Sequence, residues 1–456
     1  MKKYSEHEIL VENIKFPNIG LAYIDGLELE VKGALPKQRL LVRIVKKGKV
    51  NKGNILQILD NSPQEILSEC SVFGLCGGCA FQNIPYEYEL ELKVQMVGKI
   101  LGDIVGKHVD AMEIIGSKTY GYRNKMEYSF GDDGNLDGEL TLGMRRKGSY
   151  YEAIDASDCL LCHPDFGKIS AATLEFFRKK GEKFFHRKRE TGTLRHLVIR
   201  NGYGNGEILV NLVTSGDENY FDWAKMLLDL SLENTIVGII NTTTYSVSDA
   251  IIPNEIKILY GRDFYYEKFA RSGMKYKVPL FGFFQTNHLM VEGLYETIAE
   301  FCGNLDGKLV FDLYCGAGTI GLYLAKTAKN AEIVGVEIVE NAILAARENA
   351  TLNGDFSVDF IVGDVKNIVK DLTQKPDIII LDPPREGIVP KAIPHILAFG
   401  AKKIIYVSCK PTSLAANLPT FLDGGYEVAK IRCVDMFPRT ANVEVIIELN
   451  MKNTND

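Results

Sequence analysis

The sequence has no apolar run near the ~18 residues a bilayer-spanning helix needs. Its first ten residues, Met1 to Leu10, also lack the apolar core of a secretory signal. The expectation is therefore a cytoplasmic chain in a reducing compartment, without a membrane partner. Internal repeats are absent, which excludes a solenoid, and no low-complexity segment interrupts the globular texture. The chain also lacks overall positive charge: its formal net charge is −6. A nucleic-acid partner would have to be met by local basic patches, and two are present. Seven basic and no acidic residues lie between Lys37 and Lys52, and eight basic and two acidic between Arg178 and Arg195.

At 456 residues the chain can build two or three domains, each with its own core. Its nine cysteines matter more in a reducing compartment, where thiols bind metal or do chemistry more often than they pair. Cys302, Cys315 and Cys433 are isolated and read as packed thiols.

Residues 8–60 read as short strands punctuated by Gly20, Gly26, Gly33, Gly48 and Gly53, the pattern of a five-stranded barrel. Leu40–Val45 and Ile55–Leu59 flank its basic turn, and Asn61–Ser62–Pro63 marks its exit. A mixed α+β segment follows. Leu90, Val94, Val97, Leu101 and Ile104 recur at helical spacing after Pro85. The acidic stretch Gly131–Gly138 reads as a hairpin loop between Lys125–Phe130 and Glu139–Met144. It is not a calcium loop, because the twelfth position has no Glu. From Phe281 onward strands alternate with helices, which predicts a doubly wound α/β sheet. The expected divisions are 1–60, 61–277 and 278–456.

Three strand ends in that last segment carry chemistry. Gly316, Gly318 and Gly321 satisfy a dinucleotide-type turn between strand and helix, and Glu337 ends the next strand. Asp312 and Asp364 add carboxylates to the same pocket. Such acids suit a cationic cofactor such as S-adenosylmethionine and repel a pyrophosphate, although the literal glycine pattern keeps NAD as an alternative. Cys409 sits where the strand Lys403–Val407 breaks into a loop. It is a candidate nucleophile, with Glu444 as base and Asp382, after another strand, as a hydrogen-bond partner of the base or of the cofactor. Pyrimidine carbon 5 is not nucleophilic, so methylation there needs a thiolate added at carbon 6 and a base to remove the carbon 5 proton.

A second constellation lies upstream. Cys70-x5-Cys76-x2-Cys79 supplies three thiolates on a glycine-containing loop, and Cys159 or Cys162 would supply a fourth. Zinc and a four-iron cluster both take four thiolates. A zinc ribbon pairing Cys76/Cys79 with Cys159/Cys162 would strand Cys70, which favours a 4Fe-4S cluster.

These residues together resemble the RNA 5-methyluridine methyltransferases that use S-adenosylmethionine. The likeness rests on Phe284–Gln285–Thr286–Asn287, Asp312 to Gly318, Leu381–Asp382–Pro383–Pro384–Arg385, Val407 to Thr412 and Thr440 to Glu444. It implies a Rossmann-like methyltransferase domain, with Cys409 as nucleophile and Glu444 as base. Gln285, Tyr314, Glu337 and Asp382 would line the cofactor, with Gly316, Thr319 and Asp364 completing the set. The cysteine spacing resembles a ribosomal-RNA branch of the family whose pattern selects Cys159 as the fourth ligand. The N-terminal strands resemble the TRAM domain, a small RNA-binding barrel. Arg123, Lys125 and Arg195 fall in segments that face RNA in the family. One departure stands out: Arg439 and Asn442 occupy positions where the family often has histidines. The expectation is a monomeric enzyme acting on 23S rRNA. Alternatives are a tRNA uridine methyltransferase, an NAD-dependent oxidoreductase and a non-catalytic RNA-binding protein.

Overall fold

The computed structural model describes residues 3–47, 50–109, 111–134, 138–216, 218–328, 330–354, 357–368 and 374–452, to which all counts of elements below refer. Gly48 and Lys49 of the expected basic turn, and residues 135–137 of the expected hairpin loop, lie outside them. No helix among the described residues is long and apolar enough to cross a membrane.

The N-terminal unit contains β1 (Glu6–Leu10), β2 (Asn13–Lys15), β3 (Ile19–Ile24), β4 (Leu27–Lys32), β5 (Arg39–Lys47) and β6 (Val50–Asp60). Their order in the sheet is β1-β5-β6-β4-β3-β2. Only Val11 and Glu12 separate β1 from β2, so one bent strand supplies both edges and closes the barrel. Splitting that strand makes six where five were expected. The Val11 N–H donates to Gln38 O and the Glu12 N–H to Leu21 O, each at 2.9 Å, so hydrogen bonding continues through the bend. Ile9, Val31, Leu40, Val42 and Ile44 fill the interior.

Helix α1 (Tyr86–Val105) and strand β7 (Glu113–Ile115) come next, and they join units that the sequence divides. Leu92 and Met96 of α1 pack with Ile14 and Leu35 of the barrel side. Val97, Leu101 and Val105 pack with Leu418 and Phe421 of the C-terminal unit. Strand β7 pairs in parallel with β22 (Tyr426–Val434), Ile114 opposite Cys433. Helix α1 and strand β7, expected in the central unit, thus pack against the C-terminal sheet.

The central sheet holds β8 (Lys125–Gly131), β9 (Thr141–Arg145), β10 (Ala153–Asp155), β11 (Leu194–Gly202), β12 (Glu207–Thr214), β13 (Thr235–Thr243) and β14 (Glu255–Gly261). Helices α2 (Pro164–Lys180) and α3 (Phe221–Leu228) cover it through Phe166, Phe177 and Trp223. This is an α+β layer, as the sequence predicts.

The hairpin of β15 (Phe264–Lys268) and β16 (Lys275–Pro279) leads into the C-terminal unit, where Tyr265, Tyr276 and Val278 share a core with Ile298 and Leu322. That core therefore begins before the expected boundary at 278. The rest alternates helix and strand as far as β22, and β23 follows it directly: α4 (Val291–Cys302), β17 (Leu309–Leu313), α5 (Thr319–Thr327), β18 (Glu332–Glu337), α6 (Glu340–Leu352), β19 (Val358–Val362), α7 (Val365–Ile368), β20 (Ile378–Leu381), α8 (Ile393–Leu397), β21 (Lys403–Ser408), α9 (Pro411–Asp423), β22 and β23 (Glu444–Met451). The sheet order is β19-β18-β17-β20-β21-β23-β22-β7. Strands β17 to β21 are mutually parallel, and only β23 runs antiparallel to its neighbours. Chain order reverses between β17 and β20, and ligands bind beyond the carboxyl ends of the strands at such a switch point. The all-apolar, fully buried β20 is what a sheet covered on both faces requires.

Candidate active site

The carboxyl ends of β17, β18, β20 and β21 converge on the switch point. After β17 the chain turns sharply at Tyr314, whose φ of 68° is rare for a non-glycine residue. The turn is fixed because the Tyr314 and Cys315 N–H groups both donate to Val336 O, at 2.9 and 3.1 Å. Two carboxylates then occupy the backbone donors of the glycine turn. Glu337 Oε2 accepts the Gly316 N–H at 3.2 Å, and Asp312 Oδ2 accepts the Gly321 N–H at 3.0 Å in the first turn of α5. A dinucleotide pyrophosphate would need such donors free. The acidic lining suits a cation instead.

Burial is the main force on these acids. It pushes Asp312 up to about 7, helped by the charge of Asp382. Burial alone takes Asp382 up to about 7. Tyr314 is raised to about 12 by burial and then by Asp364 and Glu337. Asp364 also caps α7, its Oδ1 accepting the Lys366 N–H at 3.0 Å. Thr319 opens α5 and accepts the Tyr295 hydroxyl at 2.7 Å. Gln285 is buried in the loop before α4, and its main-chain oxygen accepts Asn124 Nδ2 at 3.0 Å. Asn124 also donates its N–H to Thr286 O at 2.9 Å, fastening that loop to β8.

The antiparallel strand β23 brings the proposed nucleophile and base together. Ser408 pairs with Val445, so Cys409, just past the end of β21, lies beside Glu444 at the start of β23. A parallel strand would have sent its first residue to the opposite edge of the sheet. Burial pushes the Cys409 thiol up to about 12, reinforced by Glu444 and Asp382 and opposed by Arg385. Glu444 is held well above the carboxylate range by burial and by Asp382. Its Oε2 is buried and has no hydrogen-bond partner among the described residues.

The cysteine loop lies against the same segment. Cys70, Cys76, Cys79 and Cys159 line one cavity of about 420 Å³, together with Arg123, Phe437, Thr440 and Asn442. Cys162 is buried and does not line that cavity, although its Sγ lies 3.8 Å from the Tyr128 hydroxyl and 3.6 Å from Cys159 O and shares a hydrogen bond with the Cys159 thiol. The loop is anchored by a bridge between Cys76 and Arg146 and by the Gly77 N–H on Arg145 O at 3.3 Å. Four thiols around one cavity fit a group bound by thiolates. Among the described residues no three His, Cys, Asp or Glu side chains converge enough to hold a metal ion.

A family model described as tRNA (Uracil-5-)-methyltransferase matches residues 245–452. A protein of Clostridium tetani is 42% identical over 458 residues, covering 100% of this chain and 99% of its own, and is named an uncharacterised RNA methyltransferase. A Caldanaerobacter subterraneus protein with the same description is 41% identical and covers 96% of this chain and 97% of its own. The chain belongs to the RNA uracil-5 methyltransferase family. A crystal structure of Pyrococcus abyssi tRNA (uracil-54, C5)-methyltransferase, in complex with S-adenosyl-L-homocysteine, matches with a TM-score of 0.76 at 25% identity. It covers 97% of this chain and 100% of that one.

For this RNA methyltransferase, the basic residues picked from sequence divide. Arg123 borders the cysteine cavity, and its Nε donates to Lys125 O at 3.0 Å. Lys125 is half-buried, and desolvation lowers its ammonium pKa. Arg195 is buried: its guanidinium stacks on Phe185 and donates to Ser215 Oγ and to the carbonyls of Ser246 and Ser248. It holds the loop after β13 and is not available to RNA.

Sequence reasoning missed a buried charged group packed on the segment that leads into Glu444. Glu89 and Lys93 of α1 lie 2.8 Å apart and fully buried, and Lys93 Nζ also reaches Asp435 Oδ1 at 2.7 Å. Arg439 joins them, its Nη1 at 3.5 Å from Glu89 Oε2. The available signal was an i,i+4 pair of opposite charges flanking the apolar stripe of α1.

Proposed function

We propose that this methyltransferase takes a methyl group from S-adenosylmethionine and transfers it to carbon 5 of a uridine in 23S rRNA. The transfer passes through a covalent Cys409 adduct that Glu444 resolves. The observation that carries this reading is the antiparallel pairing of Ser408 with Val445, which makes Cys409 and Glu444 neighbours beside the carboxylate-lined turn. Support for the cofactor comes from that turn, whose acids Asp312, Glu337, Asp364 and Asp382 suit a cation, and from the S-adenosyl-L-homocysteine bound by the Pyrococcus relative.

In this mechanism the Cys409 thiolate adds to carbon 6 of the uridine, and electron density moves through carbon 5 to the carbonyl at carbon 4. S-adenosylmethionine supplies the electrophilic methyl group. The Glu444 carboxylate then removes the carbon 5 proton. The electrons of that C–H bond restore the ring double bond and expel the Cys409 thiolate. In the free protein burial favours the protonated form of both groups. A positive charge held by the same carboxylates lowers proton affinity across the site, so cofactor binding and ionisation favour each other. Asp382, whose charge acts on Asp312, Cys409 and Glu444, transmits much of that effect. The uridine must leave its stack to reach Cys409.

We assign the four-cysteine cavity to a 4Fe-4S cluster held by Cys70, Cys76, Cys79 and Cys159. The same spacing supports the ribosomal substrate through the family branch it resembles. Transfer RNA is the second reading, favoured by the Pyrococcus likeness. Mapping 5-methyluridine in ribosomal and transfer RNA from a strain lacking the protein separates the two. Loss of a 23S rRNA mark, restored by the wild type and not by Cys409→Ala, is the expected result. Loss confined to transfer RNA would replace the first reading with the second.

A further inference from the structure

Arg439 adopts φ of 67°, a region that side-chain-bearing residues enter only where their surroundings hold them. Those surroundings are unusually complete. The Arg439 N–H donates to Glu89 Oε1 at 2.7 Å. Its carbonyl accepts the N–H groups of Ala80 and Phe81, at 2.8 and 3.2 Å. Its guanidinium donates to the carbonyls of Ile84, at 2.9 Å, and Phe81, at 3.3 Å. Ala80 directly follows Cys79, and Arg439 belongs to the segment that leads into Glu444.

The rest of that segment is fixed just as closely. Lys93 Nζ donates to Phe437 O at 3.2 Å, and the Tyr122 hydroxyl donates to Pro438 O at 2.9 Å. Tyr86 donates its hydroxyl to Asp435 Oδ2 at 2.9 Å. On its other side, Phe437, Thr440 and Asn442 wall the cysteine cavity, and Asn442 Oδ1 accepts from Arg385 Nη2 at 3.4 Å. A single strap therefore runs from the cysteine loop to the base.

We infer that Arg439 is a positioning residue, which fastens the Glu444-bearing segment to the loop after Cys79 and so sets the base against the Cys409 adduct. The inference rests on the proposed roles of Cys409 and Glu444. It assigns Arg439 no contact with substrate. A loosened strap should leave thiolate addition and methyl transfer in place and slow removal of the carbon 5 proton.

The test uses the full-length holoenzyme carrying Arg439→Lys, with Glu89→Gln as a second, isosteric variant. Both are assayed on the RNA that the wild type methylates. For Arg439→Lys, kcat should fall about tenfold or more while the KM for RNA moves less than about threefold. Glu89→Gln, which keeps an acceptor for the Arg439 N–H, should shift in the same direction by less. The decisive readout is covalent protein–RNA complex on a denaturing gel: it should accumulate above the wild-type level, and 5-deuterated uridine should slow turnover further. Amide exchange should speed up together in residues 80–84 and 437–443. A purely structural role predicts instead that adduct and turnover fall in parallel, and that outcome overturns the inference. So does wild-type behaviour of both variants, or an Arg439→Lys protein that does not fold. Wild-type protein that makes no 5-methyluridine would overturn the underlying reading.

Discussion

Asp312 Oδ2 accepts the Gly321 N–H at 3.0 Å, so the helix start that would bind a phosphate is already filled by a carboxylate of the protein itself. With Glu337 Oε2 on the Gly316 N–H, this turns a dinucleotide-type glycine pattern into a site for a cation. The glycines serve close approach here. A Cβ on Gly321 would come to 3.1 Å from Asp312 Oδ2.

Gly318 is the more demanding position. Its φ is 72°, and an added Cβ would lie 2.5 Å from the Phe360 ring. Gly318→Ala should lower stability by about 1–3 kcal/mol and weaken cofactor binding. Denaturant unfolding and calorimetric titration with S-adenosylmethionine measure the two effects. An unchanged midpoint would mean the turn relaxes freely.

The pH dependence follows from Asp312 and Asp382, both raised to about 7. The folded chain binds these protons more tightly than the unfolded chain, so their contribution to stability is full below the ordinary value of 3.8 and lost as pH rises through about 7. Ligand-free protein should therefore melt lower at about pH 8 than at about pH 5, while cofactor affinity rises over the same range as the acids ionise. Thermal melts with and without S-adenosylmethionine test both directions, and an affinity that falls with rising pH would contradict the cationic site.

Cys409, with its thiol raised to about 12, should react slowly with iodoacetamide in the free protein at neutral pH. Bound S-adenosylmethionine should speed alkylation at this position by offsetting the charge of Asp382. Peptide mass spectrometry reads the site. Equal rates with and without cofactor would remove the electrostatic link between binding and ionisation.

The cysteine cavity makes a compositional prediction. Protein purified without oxygen should carry iron and absorb broadly in the visible. Cys159→Ala should lose both, and Cys162→Ala, at a residue outside the cavity lining, should keep them. Colourless protein with one zinc would assign the cavity to a single ion.

Much of this was legible in the sequence where burial and periodicity agree. Helix α6 was expected at Glu340–Leu352 and is found there, because Ile343, Ala346 and Ala350 form one buried stripe. The strand ends bearing Asp312, Asp382 and Cys409 were readable for the same reason. Charge inside the protein was not. Glu89 and Lys93 look like solvent-facing residues until α1 is seen caught between two cores, and Arg195 looked like a phosphate contact before its donors were found on Ser215, Ser246 and Ser248. Long-range pairing was equally invisible: nothing local in residues 113–115 reveals that β7 joins the far edge of the catalytic sheet. The substitution at Arg439 left the environment of Glu444 open. Its donors prove to run to Phe81 and Ile84.

In the proposed mechanism Cys409 attacks and Glu444 resolves. The most direct measurement is the reaction of Glu444→Gln with substrate RNA and S-adenosylmethionine, followed by denaturing electrophoresis and mass spectrometry of the Cys409 peptide. Turnover should fall by about 10²–10⁴-fold, and Cys409 should carry a covalently attached, carbon-5-methylated uridine. Wild-type turnover by this variant, or loss of activity with no adduct on Cys409, would contradict the assignment.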